Sequence, residues 1–342
     1  MRGVDSAPRA KAVSMRPPKT GGAFYMDYDV FNGDADGICA LIQLRHADPR
    51  PDATLVTGVK RDIQLLERVP SEGVGRVTAL DVSFDKNRDQ VIRLLGAGAD
   101  IFFCDHHFAG EIPEDGGLEV LISPASEVCT SALVSGRLRG RFAEWASVGA
   151  FGDNLDATAD KLIANLDHAV DREALRQLGV CVNYNAYGAS LEDLHFAPAD
   201  LYQRMAQFDS PSALIAEDGE LFETLTEAYR QDMHSANTAP RAVEDDDIAV
   251  ISLPDAAWAR RVSGVYGNDL ANQSPDRAHA VLTDIEGGYL VSVRAPLNNR
   301  SGADEVCRQF DTGGGRAAAA GINKLPHDEL GRFIDALRAQ WT

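Results

Sequence analysis

The chain has 342 residues, of which 44% are hydrophobic and 25% are charged, and its 33 Lys and Arg are outnumbered by 52 Asp and Glu, for a net charge of −19. This length allows about two domains with cores of their own. The composition excludes extensive disorder, fibrous repeats and a membrane span. The acidity disfavours long duplex nucleic acid as a partner, because gripping it requires a broad basic face.

Five cysteines are scattered along the chain without a paired motif, which predicts a reducing, cytoplasmic location. Residues 1–23 are basic, contain Pro17-Pro18 and Gly21-Gly22 and show little periodicity, so we predict a disordered tail there. A targeting or nucleic-acid-binding arm is the alternative, although the tail lacks the apolar segment of a signal peptide.

Strands and helices alternate between residues 24 and 156. The predicted strands are Tyr28–Phe31, Thr54–Val59, Val77–Val82, Asp100–Cys104 and Leu118–Ile122. The helices predicted between and after them are Ile38–Leu44, Ile63–Val69, Gln90–Leu95, Val128–Leu138 and Phe142–Phe151. Such alternation is typical of βαβ units. We therefore predict an α/β fold whose N-terminal domain has a mainly parallel sheet flanked by helices.

The rest of the chain divides into two parts. Residues 157–240 carry amphipathic patterns around Leu175–Leu178 and over Ala213–Tyr229, which predict a helical connector. The acid-rich segment Arg241–Asp247 marks a boundary, and residues 241–342 predict a smaller C-terminal α/β domain with a glycine-rich turn. Its predicted strands and final helix are Ile248–Leu253, Ala278–Thr283, Gly288–Ala295 and Glu329–Gln340.

Carboxylates and histidines follow the ends of several predicted strands. Asp34 and Asp36 come after the first strand, Asp81 ends the third, Asp105-His106-His107 follow the fourth, and Asp153 closes an apolar helical stretch. Each has a simpler explanation alone, as a turn, a helix N-cap or a surface pair. Ligand sites of parallel sheets lie beyond the carboxyl ends of the strands, so together these residues predict one acidic site.

Buried carboxylates held together repel one another, and a divalent cation removes that cost. Mixed Asp and His ligands without thiolate favour Mn²⁺, with Mg²⁺ or Co²⁺ as alternatives. Two such ions about 3.5–4 Å apart would activate a water molecule and stabilise both the attacking and the leaving oxygen of a phosphoryl displacement. The pattern therefore predicts a two-metal phosphoesterase.

These motifs resemble those of the DHH phosphoesterase superfamily over residues 26–156. The matching motifs are Asn32–Gly37, Asp81, Asp105-His106-His107 and Asp153. The resemblance implies that Asp81 bridges two Mn²⁺ ions, that Asn32 and Asp34 help to bind the first, and that Asp36, His106 and Asp153 bind the second. It places His107 at the scissile phosphate, as a hydrogen-bond donor or general acid, and gives Asp105 the task of orienting an imidazole.

One departure from the family pattern concerns the first metal. Many relatives have a histidine four residues before the first Asp, where this chain has Val30, and RecJ-type exonucleases have an Asp two residues before it, where this chain has Asn32. Because a neutral amide oxygen is a weaker ligand than a carboxylate, we expect the first metal to bind loosely or only with substrate.

A glycine run near the C-terminus is the second candidate binding element. Exposed amides of Gly313, Gly314 and Gly315 could cradle an anion, and Arg316 adds a cation suited to phosphate, although a flexible turn explains the glycines equally well. The run resembles the DHH-associated substrate domain, in which Arg316 replaces a histidine and Arg294 matches a nucleotide-contacting strand arginine. A surface residue with its charge in water is the alternative for Arg294.

These observations predict a metal-dependent phosphodiesterase that hydrolyses short single-stranded oligonucleotides or small nucleotides, with 3′-to-5′ exonuclease or oligoribonuclease activity implied by the resemblance. A phosphoanhydride hydrolase, acting on pyrophosphate or polyphosphate, and a non-catalytic nucleotide-binding module on the same fold are the alternatives. The sequence predicts no membrane partner and is compatible with a homodimer.

Overall fold

The computed structural model describes residues 25–341, and the tail expected at residues 1–23 lies outside them. The first part of the described chain forms a five-stranded sheet in the order β2-β1-β3-β4-β5, with every neighbouring pair parallel. Its strands are β1 Met26–Phe31, β2 Thr54–Val56, β3 Val74–Leu80, β4 Asp100–Asp105 and β5 Leu118–Ile122. The predicted parallel sheet is confirmed, but β2 and β3 end earlier than expected.

Helices cover both faces of this parallel sheet. They are α1 Ala35–Ala47, α2 Phe84–Gly96, α3 Thr130–Arg137 and α4 Ala143–Gly152. Successive strand residues enter separate cores, since Val30 packs with α2 and Phe31 packs with α1, α3 and α4. The loops from β1 to α1 and from β3 to α2 are short because a polar side chain at the end of each loop caps the helix. Asp34 caps α1 through the Gly37 N–H at 3.0 Å, and Ser83 caps α2.

Five helices and a 3-10 turn follow. The helices are α5 Asp156–Ala164, α6 Arg172–Asn185, α7 Pro198–Met205, α8 Pro211–Glu217 and α9 Gly219–Asn237. The amphipathic segment predicted as continuous over Ala213–Tyr229 is broken at Asp218, whose carboxylate accepts the Leu221 N–H of α9 and pairs with Arg204. Capping therefore separates two helices that share one apolar face.

The C-terminal part of the described chain forms a six-stranded mixed sheet in the order β10-β11-β9-β8-β7-β6. Its elements are β6 Arg241–Glu244, β7 Ile248–Leu253, α10 Ala257–Gln273, β8 Ala278–Ile285, β9 Gly288–Arg294, α11 Ala303–Cys307, β10 Gly313–Gly315, β11 Ala319–Leu325 and α12 Leu330–Trp341. Only β7 and β8 are parallel neighbours. The sequence analysis did not predict β6, α10 or β11, because short polar, small-residue and weakly periodic segments carry little signal.

We call the part built on the parallel sheet the first lobe and the part built on the mixed sheet the second lobe. A core cluster joins α6 and α9 to the second lobe through Tyr184, Tyr187 and Met233, which pack with residues of α10 and β7. This packing sets the second lobe beside the carboxyl ends of β1, β3 and β4. Among residues 25–341, no helix combines the length and apolar character needed to cross a bilayer. The domain boundaries at 156 and 240 stay predictions.

Candidate metal centre and interlobe cleft

Four side chains predicted as ligands meet at the carboxyl edge of the parallel sheet. Nε2 of His106 lies 3.3 Å from Asp81 Oδ1 and 3.4 Å from Asp153 Oδ2. Asp36 Oδ2 lies 4.0 Å from the same nitrogen. None of the four side chains is more than 4% exposed. The structure therefore brings together, in a buried cluster, residues that are up to 117 positions apart in the chain.

The orientation of His106 leaves one ring nitrogen for a cation. Its Nδ1 lies 2.7 Å from the carbonyl oxygen of Val128, and a carbonyl can only accept, so Nδ1 carries a hydrogen. Nε2 consequently faces the carboxylates of Asp81 and Asp153. A lone pair directed at carboxylate oxygens is repulsive, so Nε2 requires a proton or a metal ion between it and them. Such backbone anchoring of the distal nitrogen is typical of ligating histidines.

Asp36 is held by the start of helix α3. Its two oxygens accept the N–H groups of Thr130 and Ser131, each at 2.7 Å, where the helix dipole favours a negative charge. Even so, burial raises the pKa of Asp36, and the nearby Asp153 raises it further. Burial likewise raises the pKa of Asp81 well above its usual range, with Asp34 and Asp36 adding to the shift. The raised pKa values of both carboxylates indicate that the site holds more negative charge than its buried surroundings stabilise.

The backbone at Asp81 is in the left-handed region. Its φ is 55°, its N–H donates to Cys104 O at 3.0 Å, and its carboxylate accepts the Thr130 hydroxyl at 3.2 Å. Asp tolerates this conformation better than most residues, although it still costs energy. The bend comes directly after the last residue of β3, and the carboxylate lies 3.3 Å from Nε2 of His106.

Asp105 orients His107, not His106. The carboxylate of Asp105 accepts the N–H of His106 at 2.8 Å and lies 2.6 Å from Nδ1 of His107. Burial raises the pKa of Asp105, but the two histidines outweigh it and the net shift is downward. Asp81, His106 and His107 each offer an atom within 4.8 Å of the others. His107 is partly exposed and therefore lies on the open side of the cluster.

Asn32 and Asp34 are engaged with the protein itself. Oδ1 of Asn32 accepts the Asp34 N–H at 3.3 Å, and its Nδ2 donates to the carbonyl of Lys60 at 3.2 Å. One oxygen of Asp34 caps α1, and the other forms an ion pair with the Lys60 ammonium. The sequence analysis did not select Lys60. It follows β2 at the same sheet edge as the other candidates, so the strand-end rule could have found it.

Lys60 and Arg316 supply the fixed positive charge of the site. The Lys60 ammonium lies 3.5 Å from Asp153, and Nη1 of Arg316 lies 3.3 Å from Asp153 and 3.1 Å from both ring nitrogens of His106. Burial raises the pKa of Asp153, but Arg316 and Lys60 outweigh it and hold the pKa well below its usual range. Burial lowers the pKa of Lys60, but Asp34, Tyr187 and Asp153 outweigh burial and hold the pKa well above its usual range, so the amine stays charged.

A cleft of about 290 Å³ separates the cluster from the second lobe. Its walls include His106 and Asp153 on one side and four arginines on the other, which are Arg294, Arg300, Arg308 and Arg316. Arg308 pairs with Asp304 at 2.5 Å, whereas Arg300 has no ion-pair partner within residues 25–341. Neither residue was predicted, because isolated arginines in loops and short helices carry no sequence signal. The cleft therefore presents positive charge opposite the acidic cluster.

Arg294 lies in the cleft wall but is buried, only 9% exposed, so the alternative of a surface arginine is wrong. Its guanidinium donates to Asn268 Oδ1 at 2.5 Å, to Ser292 Oγ at 3.1 Å and to the carbonyl of Gly264 at 2.9 Å. Protein acceptors thus fix its orientation, and only part of its surface faces the cleft.

The glycine run is a strand and not the expected turn. Gly313, Gly314 and Gly315 form β10, which pairs antiparallel with β11 at the sheet edge. Of the three, only Gly315 lines the cleft, with φ of 141°. At Gly313 a Cβ would lie 1.7 Å from the carbonyl oxygen of Cys307, whereas Gly314 has open space. Glycine is therefore required at 313 for packing.

No family model and no curated protein matches the chain. Solved structures do match it. An exonuclease RecJ bound to manganese is 16% identical with a TM-score of 0.59, over 93% of this chain and 91% of that one. PggH, a pGpG-specific phosphodiesterase from Vibrio cholerae, is 15% identical with a TM-score of 0.53, over 92% and 99% of the two chains. An exopolyphosphatase-related protein from Bacteroides fragilis is 15% identical with a TM-score of 0.51, over 93% of both.

These three likenesses extend over both lobes and the helices between them. They show that the chain shares the α/β fold of these three proteins, which agrees with the fold implied by the motif resemblance. Identities this low identify the fold alone. The reaction and the substrate of this chain depend on the residues of its own cleft.

Proposed function

We propose that the chain is a metal-dependent phosphodiesterase that hydrolyses short oligonucleotides or small nucleotides in the interlobe cleft. The observation that carries this proposal is the convergence of Asp36, Asp81, Asp153 and Nε2 of His106 opposite a wall of arginines. A buried anionic cluster needs a cation, and an arginine-lined wall needs an anion. A phosphate ester held against a divalent ion satisfies both.

The donor set fits a divalent cation such as Mn²⁺. Asp36, His106 and Asp153 offer ligand atoms within 4.8 Å of one another, as do Asp81, His106 and His107, and no thiolate takes part. Carboxylate and imidazole ligands suit Mn²⁺, with Mg²⁺ and Co²⁺ as alternatives. When bound, such an ion supplies Lewis-acid activation of water and of the phosphoryl group.

The protein's own groups position the substrate and move the proton. Arg316 lies beside the donor cluster, where its planar guanidinium can hold two oxygens of a phosphate. Asp105 fixes the Nδ1–H of His107, which leaves Nε2 of that ring to carry a proton to the departing oxygen. Arg300 and Arg308 extend the positive wall towards the cleft mouth and would hold further phosphates.

An exposed aromatic ring favours nucleotides among phosphate esters. Phe108 follows His107, is 72% exposed and lines the cleft. Base stacking on such rings is a common means of holding single strands and loops. The small cleft and the net charge of −19 favour a short substrate over a long polyanion. The fold likeness to RecJ and to PggH supports the same substrate class.

Phosphoanhydride hydrolysis is the second candidate, favoured by the likeness to the exopolyphosphatase-related protein. A substrate panel separates the two. We expect Mn²⁺-dependent hydrolysis of dinucleotide RNA to be faster than hydrolysis of long RNA, single-stranded DNA, a cyclic dinucleotide and pyrophosphate. A chelator should abolish this activity. Pyrophosphate hydrolysis without dinucleotide hydrolysis would establish the second candidate. Nucleotide binding without metal-dependent turnover of any substrate would instead establish a non-catalytic module.

A further inference from the structure

Lys60 is the least expected residue of the site, and its backbone is fixed on both sides. Its N–H donates to the carbonyl of Ala186 at 2.9 Å, and its carbonyl accepts the Asn32 amide at 3.2 Å. These contacts tie the loop after β2 to the end of α6 and to the loop after β1. The side chain is thereby anchored at the edge of the acidic cluster.

The three hydrogens of the Lys60 ammonium have three oxygen partners. Asp34 forms the closest ion pair, Asn183 Oδ1 lies at 2.9 Å and Asp153 Oδ1 lies at 3.5 Å. The ring of Tyr187 adds a cation–π contact at 5.5 Å. A bound metal ion would need the same arrangement of oxygen atoms around its positive charge. The ammonium therefore occupies the oxygen of Asp34 that could otherwise bind a metal ion.

We infer that Lys60 is a built-in cation in place of the first of two metal ions, so that the chain binds one divalent ion, at Asp36, Asp81, His106 and Asp153. This inference rests on the proposed function, because it concerns the metal content of that site. It also accounts for the departure seen in the sequence: Val30 packs in the apolar core and the Asn32 amide is bound to backbone, so neither supplies the missing ligand.

The charge of the cluster agrees with a single ion. Apart from Asp105, which is paired with His107, the site holds four carboxylates, Asp34, Asp36, Asp81 and Asp153, and two permanent cations, Lys60 and Arg316. Two negative charges are left, and one divalent ion neutralises them. A second divalent ion would make this buried site positive while competing with an ammonium that cannot diffuse away.

The metal content of the purified protein tests the inference directly. After chelation and reloading with Mn²⁺, equilibrium dialysis with elemental analysis should find one tightly bound ion per chain. Low-temperature electron paramagnetic resonance should show an isolated Mn²⁺ signal. Two tightly bound ions with a spin-coupled signal in the wild type would overturn the inference and leave the proposed function intact. No bound ion, with nucleotide turnover absent, would mean that the proposed function itself fails.

Variants at Lys60 sharpen this test. Lys60→Met keeps the length of the side chain and removes its charge, so we expect binding to rise from one to two Mn²⁺ with a coupled signal. Adding Asp34→Asn should return the number to one. Lys86→Met, the same change at an exposed lysine of α2, should stay at one. A folded Lys60→Met protein that still binds one ion would overturn the inference, and the wild-type measurement decides the question if that variant does not fold.

Discussion

The two lobes differ in the charges that they place on the cleft walls and in how far those charges are compensated. The first lobe gathers carboxylates, and burial followed by their mutual repulsion raises the pKa of Asp36 and Asp81. The second lobe presents Arg294, whose charge is already met by an amide oxygen, a hydroxyl and carbonyls of its own lobe. The acidic side is therefore electrostatically incomplete, whereas on the other side Arg294 is satisfied by its own lobe and Arg300 is left for an anion. Ion binding should affect the first lobe far more than the second.

The difference follows from the two sheets. Parallel strands all deliver their carboxyl ends to one edge, so loops distant in sequence meet there. The mixed sheet sends strand ends in both directions, and the cleft-facing residues of the second lobe come from α10, β9, β10, β11 and the segment around α11. The first arrangement concentrates like charges, whereas the second spreads single cations over a wall. Five experiments test this contrast.

Loss of Asp81 should have the largest effect. Because this carboxylate faces His106 at 3.3 Å and has no substitute, Asp81→Asn should lower turnover at least about 10³-fold and weaken Mn²⁺ binding. Activity assays and metal dialysis measure the two effects. Asp89→Asn on the exposed face of α2 is the control and should change neither. Wild-type turnover by Asp81→Asn would contradict the assignment of the metal centre.

Acid should weaken the second lobe through His279. This residue of β8 is buried, and burial together with Arg277 lowers its pKa to about 4. The neutral ring is favoured in the folded state, so stability is fully present above about pH 6.5 and is lost as the pH falls towards 4. The loss should reach up to about 3 kcal/mol.

Urea unfolding of wild type and His279→Leu at pH 7 and pH 4.5 measures this loss. The variant should show a smaller change in unfolding free energy between the two pH values. Equal changes in both proteins would show that His279 is not the responsible group.

Arg316 lines the cleft beside the acidic cluster, so its removal should affect substrate turnover more than folding. Arg316→Ala should lower kcat/KM about 10²-fold, because the guanidinium that we propose to hold the phosphate is lost. Arg316→Lys should recover only part of the activity, since a point charge lacks the planar fork. Arg338→Ala, at an exposed surface pair, is the control. Full activity of Arg316→Ala would place substrate recognition elsewhere.

The glycine strand offers a matched pair of substitutions. Gly313→Ala would force a Cβ against the carbonyl of Cys307 and should lower the free energy of unfolding by about 2 kcal/mol. Gly314→Ala meets open space and should change it by less than about 0.5 kcal/mol. Chemical denaturation measures both. Loss of nucleotide binding by Gly314→Ala, with stability unchanged, would instead support the anion cradle expected from the sequence.

Phe108 should have the smallest effect and distinguishes the two candidate substrates. If a base stacks on this exposed ring, Phe108→Ala should lower kcat/KM for a dinucleotide about tenfold. The same variant should leave hydrolysis of pyrophosphate, which has no base, unchanged. Equal loss on both substrates would indicate a structural role for the ring.

Much of the first lobe could be predicted from sequence. The strand-end rule selected Asp34, Asp36, Asp81 and His106 because chain order places each directly after an apolar strand. Lys60 also follows a strand, but a positively charged side chain is not a metal ligand and therefore gives no signal for such a site. The glycine run was harder: Gly313–Gly315 is a strand only because β11 provides its hydrogen bonds, and that pairing is not local.

The parallel α/β sheet of the first lobe and the excess of acid at its edge follow from the amino-acid sequence, because apolar periodicity and strand order are local properties of the chain. Which cation faces each acid depends instead on how the folded elements pack. Asp34 meets Lys60 through packing of the β2 loop on α6, and Asp153 meets Arg316 across the cleft. Such pairings depend on distances between side chains far apart in the chain, where Coulomb attraction acts through space and not along the sequence.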